Sequence, residues 1–233
     1  MNLQQVTVDT HHSTGVGASA LQRNRVLRNT YWLLALSMVP TVLGAWIGMA
    51  SGISRAMTPG ISLMVFLAGA FGFMFAIEKT KNSAAGVPVL LAFTLFMGLM
   101  LSRLVGTVLG LGNGASLVMM AFAGTGAIFL GMASLSSIIK RDLSAMGKWL
   151  FIGVIMLLAA GIANFFIQSS ALMITLAVLA IGIFSAFILH DLKRVNDGLE
   201  TNYVTVTLGV YLSVYNVFQS LLMLFGIMGG RDE

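Results

Sequence analysis

Seven long apolar runs constrain the fold of this chain more than any other feature of its sequence. Charged residues make up only 9% of the 233 residues and hydrophobic residues 58%, whereas a soluble domain carries about 25% charged residues. A helix needs roughly 20 apolar residues to cross a hydrocarbon core of about 30 Å. We therefore predict a polytopic membrane protein. The predicted spans are residues 31–50, 61–77, 87–104, 116–139, 149–167, 171–189 and 203–228.

The spans are predicted to be helices because successive residues in each run stay apolar. A transmembrane β-barrel strand would instead alternate apolar and polar residues, and a lipid-exposed backbone must satisfy its own hydrogen bonds. Run 61–77 is short, and run 87–104 carries Arg103 before the glycine-rich stretch 106–114. Six spans with a re-entrant segment are therefore the alternative. We predict an all-α integral membrane protein with a seven-transmembrane-helix bundle over residues 28–230.

The connections between the runs differ in positive charge, which predicts how the chain is oriented. The segment from Met1 to Leu27 is polar and contains no apolar signal-peptide segment, so we expect a flexible N-terminal tail. The tail and alternate loops hold ten of the Lys and Arg residues, and the opposite connections and the C-terminus hold three. Because short positively charged loops stay inside, we predict a cytoplasmic N-terminus and a C-terminus on the opposite, outer side of the membrane. The three on the other side are Arg55, Arg103 and Arg231.

Small residues four positions apart predict close contacts between helices. We expect these contacts within the bundle rather than at a dimer face, because glycine is common in membrane helices. The pairs are Gly44 with Gly48, Gly106 with Gly110, Ala123 with Ala127 and Gly131, and Gly226 with Gly230.

The residues that common enzyme chemistries need are missing from the sequence. There is no cysteine, which excludes disulfides, thiol nucleophiles and cysteine-based metal sites. The histidines are His11, His12 and His190, with no zinc-protease motif and no phosphate-binding loop. Ser134 is interpreted as a packing residue because His190 is predicted to lie at the end of another span. We therefore predict no enzyme, no metal and no cofactor, and the sparse charges argue against nucleic acid as a partner.

Two acidic residues near the ends of the spans, Glu78 and Asp191, are candidates for a functional charge or for simple solvation. Glu78 precedes Lys79 at the end of the second span, where a solvated interfacial charge is the favoured interpretation. Asp191 ends the sixth span beside basic residues, and it could pair with them or face water. Asp142 lies in a tight loop, where a structural role such as capping is expected.

The last span carries polar residues along two lines. Gly209, Ser213, Asn216 and Ser220 recur at helical spacing on one face, and Tyr211, Tyr215 and Gln219 form a second line. Such faces are unfavourable toward lipid, so this helix is expected among the others. The sequence leaves open whether the polar groups make ordinary interhelical hydrogen bonds or line a polar cavity.

The last span and its flanks also resemble a known family. The segments 198–203 and 210–222, together with 26–31 and 140–144, are similar to those of the Bax inhibitor-1 family and most of all to its bacterial YccA-like branch. The resemblance runs from about residue 26 to residue 228. It implies an inner-membrane bundle of seven helices in which the last helix is central.

The resemblance implies two alternative activities. Members are described as pH-sensitive calcium leaks that use one acidic residue at the end of the sixth span and another within the seventh. Asp191 matches the first position, but Ser213 occupies the second, and a lone carboxylate need not titrate near neutral pH. The ion- or proton-sensing candidates are Asp191, Ser213, Asn216 and Glu78, with Ca²⁺ as the possible ion.

The YccA-like branch instead resembles modulators of the membrane AAA+ metalloprotease FtsH. Such a protease extracts membrane proteins from an exposed cytoplasmic end, and a flexible tail is suited to that engagement. We therefore predict binding to FtsH through the tail from Met1 to Leu27 as the leading function, with the lipid bilayer as the surrounding partner.

Overall fold

The computed structural model describes residues 3–230, and it describes the side chains of residues 20–53 and 56–230. Eight α-helices follow one another along these residues. Their bounds are α1 Leu3–Ser51, α2 Ile53–Ala56, α3 Pro59–Thr80, α4 Gly86–Leu109, α5 Gly114–Ile138, α6 Met146–Ile167, α7 Ser170–Asn196 and α8 Tyr203–Gly229.

Seven of these helices are long and apolar enough to cross a membrane, which confirms the predicted fold class. The span within α1 begins at Ala20, and the other spans are α3 to α8. Runs 61–77 and 87–104, on which the six-span alternative depended, lie in the helices α3 and α4, which have 22 and 24 residues. The six-span alternative is therefore wrong. The short helix α2 was not predicted.

Helix α1 extends upstream of the predicted first span. It begins at Leu3, so the backbone from there to Leu27 is helical in the segment that was predicted to be a flexible tail. Met1, the first residue of the predicted tail, lies outside the described residues, and so do the side chains of residues 2–19. The partner binding predicted for Met1 to Leu27 therefore stays a prediction.

Polar residues at the boundaries of the runs define where several helices begin. The Thr58 hydroxyl accepts a hydrogen bond from the Ile61 backbone N–H, and Pro59 occupies the first helical position of α3, where its missing N–H has no consequence. Ser169 accepts from Leu172 at the start of α7. Side-chain caps of this kind satisfy backbone donors that have no partner within the helix.

Helix α8 lies at the centre of the bundle. It packs against α1, α3, α4, α5 and α7, and its fully buried side chains meet those of α4 in the core. Helix α6 is peripheral: among its residues, all of which are described, none is buried. Its large apolar side chains face outward, as do many on α1, α3 and α5, and such an apolar exterior is stable only in lipid.

Helices α1 and α4 approach so closely that their backbones touch at glycine positions. A Cβ atom at Gly98 would lie 2.0 Å from the Thr41 carbonyl oxygen, and one at Gly44 would lie 2.1 Å from the Leu95 carbonyl oxygen. The prediction of packing within the bundle is therefore confirmed at Gly44. It is wrong at Gly131, where a Cβ atom would meet open space.

Four polar segments meet at one end of the bundle. Arg23 of α1 donates a hydrogen bond to the Asn196 carbonyl oxygen over 3.1 Å, and the Asn196 side chain donates to Ser136 Oγ of α5 over 3.1 Å. The Asn202 amide donates to Asn82 Oδ1 in the loop between α3 and α4 over 2.7 Å. We call this end, formed by residues 20–28, 81–85, 139–145 and 196–202, the basic face.

Candidate functional site

Asp191 lies on α7, about one and a half turns before the helix ends at the basic face. Its side chain is 18% exposed, and Oδ1 lies 3.2 Å from Nδ1 of the adjacent His190. The His190 ring in turn packs against α6, because a Cβ atom at Gly147 would lie 2.8 Å from its Nε2. The carboxylate thus has an imidazole neighbour that the sequence analysis did not assign to it.

The structure brings Asp191 against the α8 turn that contains Ser213. A Cβ atom at Gly209 would lie only 2.6 Å from Asp191 Oδ2, so the carboxylate occupies the space that a side chain would need. One turn further, the Ser213 hydroxyl donates to the Gly209 carbonyl oxygen over 3.0 Å. Two of the predicted site residues therefore flank the same turn, and the hydroxyl is bonded to the helix backbone.

Two side chains of the first polar line, those of Ser213 and Asn216, bond to the backbone of α8 itself. The Asn216 amide donates to the Leu212 carbonyl oxygen over 2.8 Å. Ser213 and Ser220 are both buried. These groups stabilise a helix surrounded by protein, which agrees with the expected position of the last span.

The second polar line makes the interhelical hydrogen bonds that the sequence analysis left open. The Tyr211 hydroxyl lies 2.9 Å from Thr41 Oγ1 of α1, and the Tyr215 hydroxyl donates to the Met97 carbonyl oxygen of α4 over 3.2 Å. Both tyrosines are buried. Buried hydroxyls with partners on neighbouring helices fix the rotation of α8.

Glu78 lies apart from this site. Its carboxylate is 63% exposed and pairs with Lys81 Nζ at 2.5 Å, which agrees with the interpretation as a solvated interfacial charge.

Among the described residues, no group of three or more His, Asp or Glu side chains could hold a metal. Calcium takes six to eight oxygen ligands, whereas Asp191 is the one carboxylate that the described residues place at this turn of α8. The calcium leak stays a prediction that no observation favours.

Asp142 has the structural role that was expected, but in a turn rather than as a helix cap. Its Oδ1 accepts from the Ser144 backbone N–H over 2.8 Å and from the Ser144 hydroxyl over 2.6 Å. The hydrogen bond from the side chain and then the one from the backbone lower the pKa of Asp142 below its usual value. The residue that precedes α6 is Ala145, which makes no side-chain cap.

A long apolar groove opens between α1 and α5, with α8 as its floor. Its volume is about 1200 Å³, and Ser134, which was interpreted as a packing residue, is exposed in its wall. Ser213 and Asn216 do not line it. The groove next to the last helix is therefore not the polar cavity that the sequence analysis considered.

A polar cleft of about 570 Å³ lies at the basic face where the groove ends. We call it the basic cleft. Residue Ser137 of α5 lines both the groove and the cleft. The charged residues of the cleft come from α1, α7 and the loops that follow α5 and α7, and they are Arg23, Lys140, Lys193 and Asp197. Neither feature is predictable from the sequence, because both depend on how far apart α1 and α5 lie.

The arrangement defines a multi-pass α-helical membrane protein with a central last helix. A sequence model of the family described as inhibitor of apoptosis-promoting Bax1 matches residues 23–230. The chain therefore belongs to the Bax inhibitor-1 family, as its motifs predicted.

Several bacterial proteins are similar over most of their length. The chain is 35% identical to the modulator of FtsH protease YccA of Escherichia coli K12 over 214 residues, which cover 92% of this chain and 94% of that protein. It is 35% identical to an uncharacterized membrane protein of Vibrio cholerae, covering 91% and 93%. It is 36% identical to an uncharacterized protein of Pseudomonas aeruginosa, covering 89% and 91%. The same YccA from a second Escherichia coli strain is named an inner membrane protein, and the seven apolar helices suit that location.

Proposed function

We propose that this protein binds a membrane-anchored AAA+ metalloprotease of the FtsH type and modulates its activity without being an enzyme itself. The observation that carries this proposal is the 35% identity to the modulator of FtsH protease YccA across 92% of the chain. Together with the family match over residues 23–230, this coverage means that the similarity concerns the bundle rather than one motif.

The packing of the bundle supports a mechanism based on resistance to extraction. Glycine positions place the backbones of α1 and α4 in contact, and α8 is held in the centre by five neighbouring helices. A protease that pulls on the N-terminus would have to separate α1 from α4 and from α8. Because well-packed interiors resist partial separation, the protein would occupy the protease for a long time and so slow the degradation of other substrates.

The charge distribution supports an orientation in which the protease can reach the N-terminus. The ten Lys and Arg residues on the predicted inner side lie in segments that end at the basic face or next to it. Positively charged short loops remain in the cytoplasm. We therefore propose a cytoplasmic N-terminus, with residues 1–27 as the segment that the protease engages, and a periplasmic C-terminus.

Affinity purification from native membranes in mild detergent tests this function. Three forms are compared: the full chain, a chain lacking residues 2–22, and a chain in which residues 2–22 are replaced by a Gly-Ser linker of equal length. We expect the protease with the full chain and at least a fivefold lower recovery with both variants. Equal recovery with all three would contradict engagement through the tail, and no recovery with any form would contradict the proposed function.

A further inference from the structure

We propose that the apolar groove and the basic cleft together bind one anionic phospholipid. The phosphate would lie in the basic cleft, and the acyl chains would lie in the groove between α1 and α5. This site is separate from Asp191, which lines neither feature. It is also independent of the proposed protease binding.

The basic cleft is suited to a phosphate because cations from separate elements converge on it. It contains three cationic side chains and one carboxylate. Lys193 is buried, with only 8% of its side chain exposed, and it pairs with Asp197 one turn later on the chain. Because this pair balances its own charge, Arg23 and Lys140 give the cleft an excess of positive charge.

Arg23 is held in place for this role. One of its guanidinium nitrogens donates to the Asn196 carbonyl oxygen at the end of α7. A guanidinium has five N–H donors in a planar fork that matches phosphate oxygens. The bond to Asn196, which also lines the cleft, therefore holds the group at the cleft and leaves further donors for a ligand.

The groove has the dimensions and the surface of a site for acyl chains. On α1 it runs from Tyr31 to Met49, a distance of about 27 Å at 1.5 Å per residue, which is close to the thickness of the hydrocarbon core. Its walls are predominantly apolar, and the α8 side chains of Val214 and Phe218 lie at its floor. It opens sideways between two spans, so a lipid can enter from the bilayer.

The continuity of groove and cleft favours a lipid over a transmembrane helix of a partner protein. A partner helix would match the apolar walls alone. A phospholipid matches both parts, because its anionic head is joined directly to long apolar chains. Basic pockets between transmembrane helices bind anionic lipid head groups in the same way.

Native mass spectrometry of the purified full chain tests the head-group part of the proposal. The probes are phosphatidylglycerol and phosphatidylethanolamine with identical acyl chains, each titrated into delipidated protein in mild detergent. The variant Arg23→Gln/Lys140→Gln removes two exposed cations of the cleft. The matched control, Arg25→Gln/Lys148→Gln, removes two exposed cations outside it.

We expect one phosphatidylglycerol per chain and a preference for it over phosphatidylethanolamine. The cleft variant should bind phosphatidylglycerol about 30-fold more weakly, since each cation near a lipid surface contributes about fivefold, whereas the control should bind as the parent does. Equal binding of the two lipids, or equal loss in both variants, would overturn the proposal.

A second pair of variants tests the groove. Ala123→Phe places a ring in the groove, whereas Ala127→Phe places the same ring one turn along α5 at an exposed position outside it. We expect Ala123→Phe to reduce phosphatidylglycerol binding at least fivefold and Ala127→Phe to leave it unchanged. If Ala123→Phe instead releases a co-purifying protein and leaves lipid binding intact, the groove holds a partner helix and the lipid proposal is wrong.

Discussion

The carboxylate of Asp191 lies where a side chain on Gly209 would be, 2.6 Å from the position of its Cβ atom. This contact connects α7 and α8 at the turn that two of the predicted sensing residues, Asp191 and Ser213, flank. It explains why glycine is needed on the α8 face opposite Asp191, since any larger residue would displace either the carboxylate or the helix.

Substitution of Gly209 by alanine should therefore destabilise the protein. We expect the free energy of unfolding to fall by about 1–3 kcal/mol, the usual cost of overpacking, and the double variant Gly209→Ala/Asp191→Ala to recover most of that loss because the clash is removed. Thermal unfolding in detergent measures both. The control is Gly182→Ala on α7, where a Cβ atom meets open space; an equal loss in the control would contradict the contact.

The turn at Asp142 depends on the hydroxyl of Ser144. The hydrogen bonds from Ser144 hold the pKa of Asp142 below its usual value, so Ser144→Ala should raise that pKa. A carboxyl with a lowered pKa in the folded protein stabilises it above the unfolded pKa, and this contribution is lost as pH falls through the folded pKa. Carbon-13 NMR titration of the Asp side chains in detergent measures the shift, with Ser137→Ala as a control. An unchanged Asp142 pKa in Ser144→Ala would contradict this account.

The residues of the candidate site could be predicted individually, but their neighbours could not. Helical spacing placed Ser213 and Asn216 on one face of the last span. The partners Gly209 for Asp191 and Thr41 for Tyr211 depend on the rotation and separation of two helices, which no periodicity within one helix specifies. For the same reason, the sequence does not specify that Glu78 on α3 pairs with Lys81 and not with Asp191.

Helices α1 and α4 approach each other closely enough at Gly98 and Gly44 to bring their backbones into contact. A Cβ atom at Gly98 would lie 2.0 Å from a backbone oxygen of α1, and a backbone atom cannot move aside as a flexible side chain can. The two helices would have to separate along their length.

We therefore expect Gly98→Ala to lower the free energy of unfolding by about 3 kcal/mol, the upper part of the usual range for overpacking, or by more. Gly72→Ala on α3, where a Cβ atom meets open space, should leave stability unchanged or slightly raised because alanine favours helix. Unfolding of both variants in a denaturing detergent, monitored by circular dichroism, measures the difference between their free energies of unfolding. Similar stability of the two variants would show that the α1–α4 contact is looser than described.

The helices themselves were predictable because lipid demands about 20 apolar residues per span. The ends of the helices were less predictable from the sequence. Helix α7 continues to Asn196, beyond the predicted end of the span at residue 189, because Lys193 pairs with Asp197 one turn along and its side chain is covered by protein. A charged residue signals the end of an apolar run in the sequence, but it does not signal the end of the helix.

For the whole molecule, the positive charges predict which end of the bundle faces the cytoplasm. The chain contains no cysteine, so single cysteines can be introduced without a background. We expect Ala84→Cys, in a loop of the basic face, to be protected from a membrane-impermeant maleimide in spheroplasts, and Asn113→Cys, in the loop between α4 and α5, to be labelled. The opposite pattern would contradict the proposed orientation.

The proposed modulation of the protease can be measured as a change in substrate degradation in reconstituted vesicles. A purified FtsH-type protease and a model membrane substrate are combined with the full chain, with the chain lacking residues 2–22, or with no addition. We predict that the full chain lengthens the half-life of the substrate severalfold and that the truncated chain has little effect. A half-life that is the same with the full chain as without it would contradict the account.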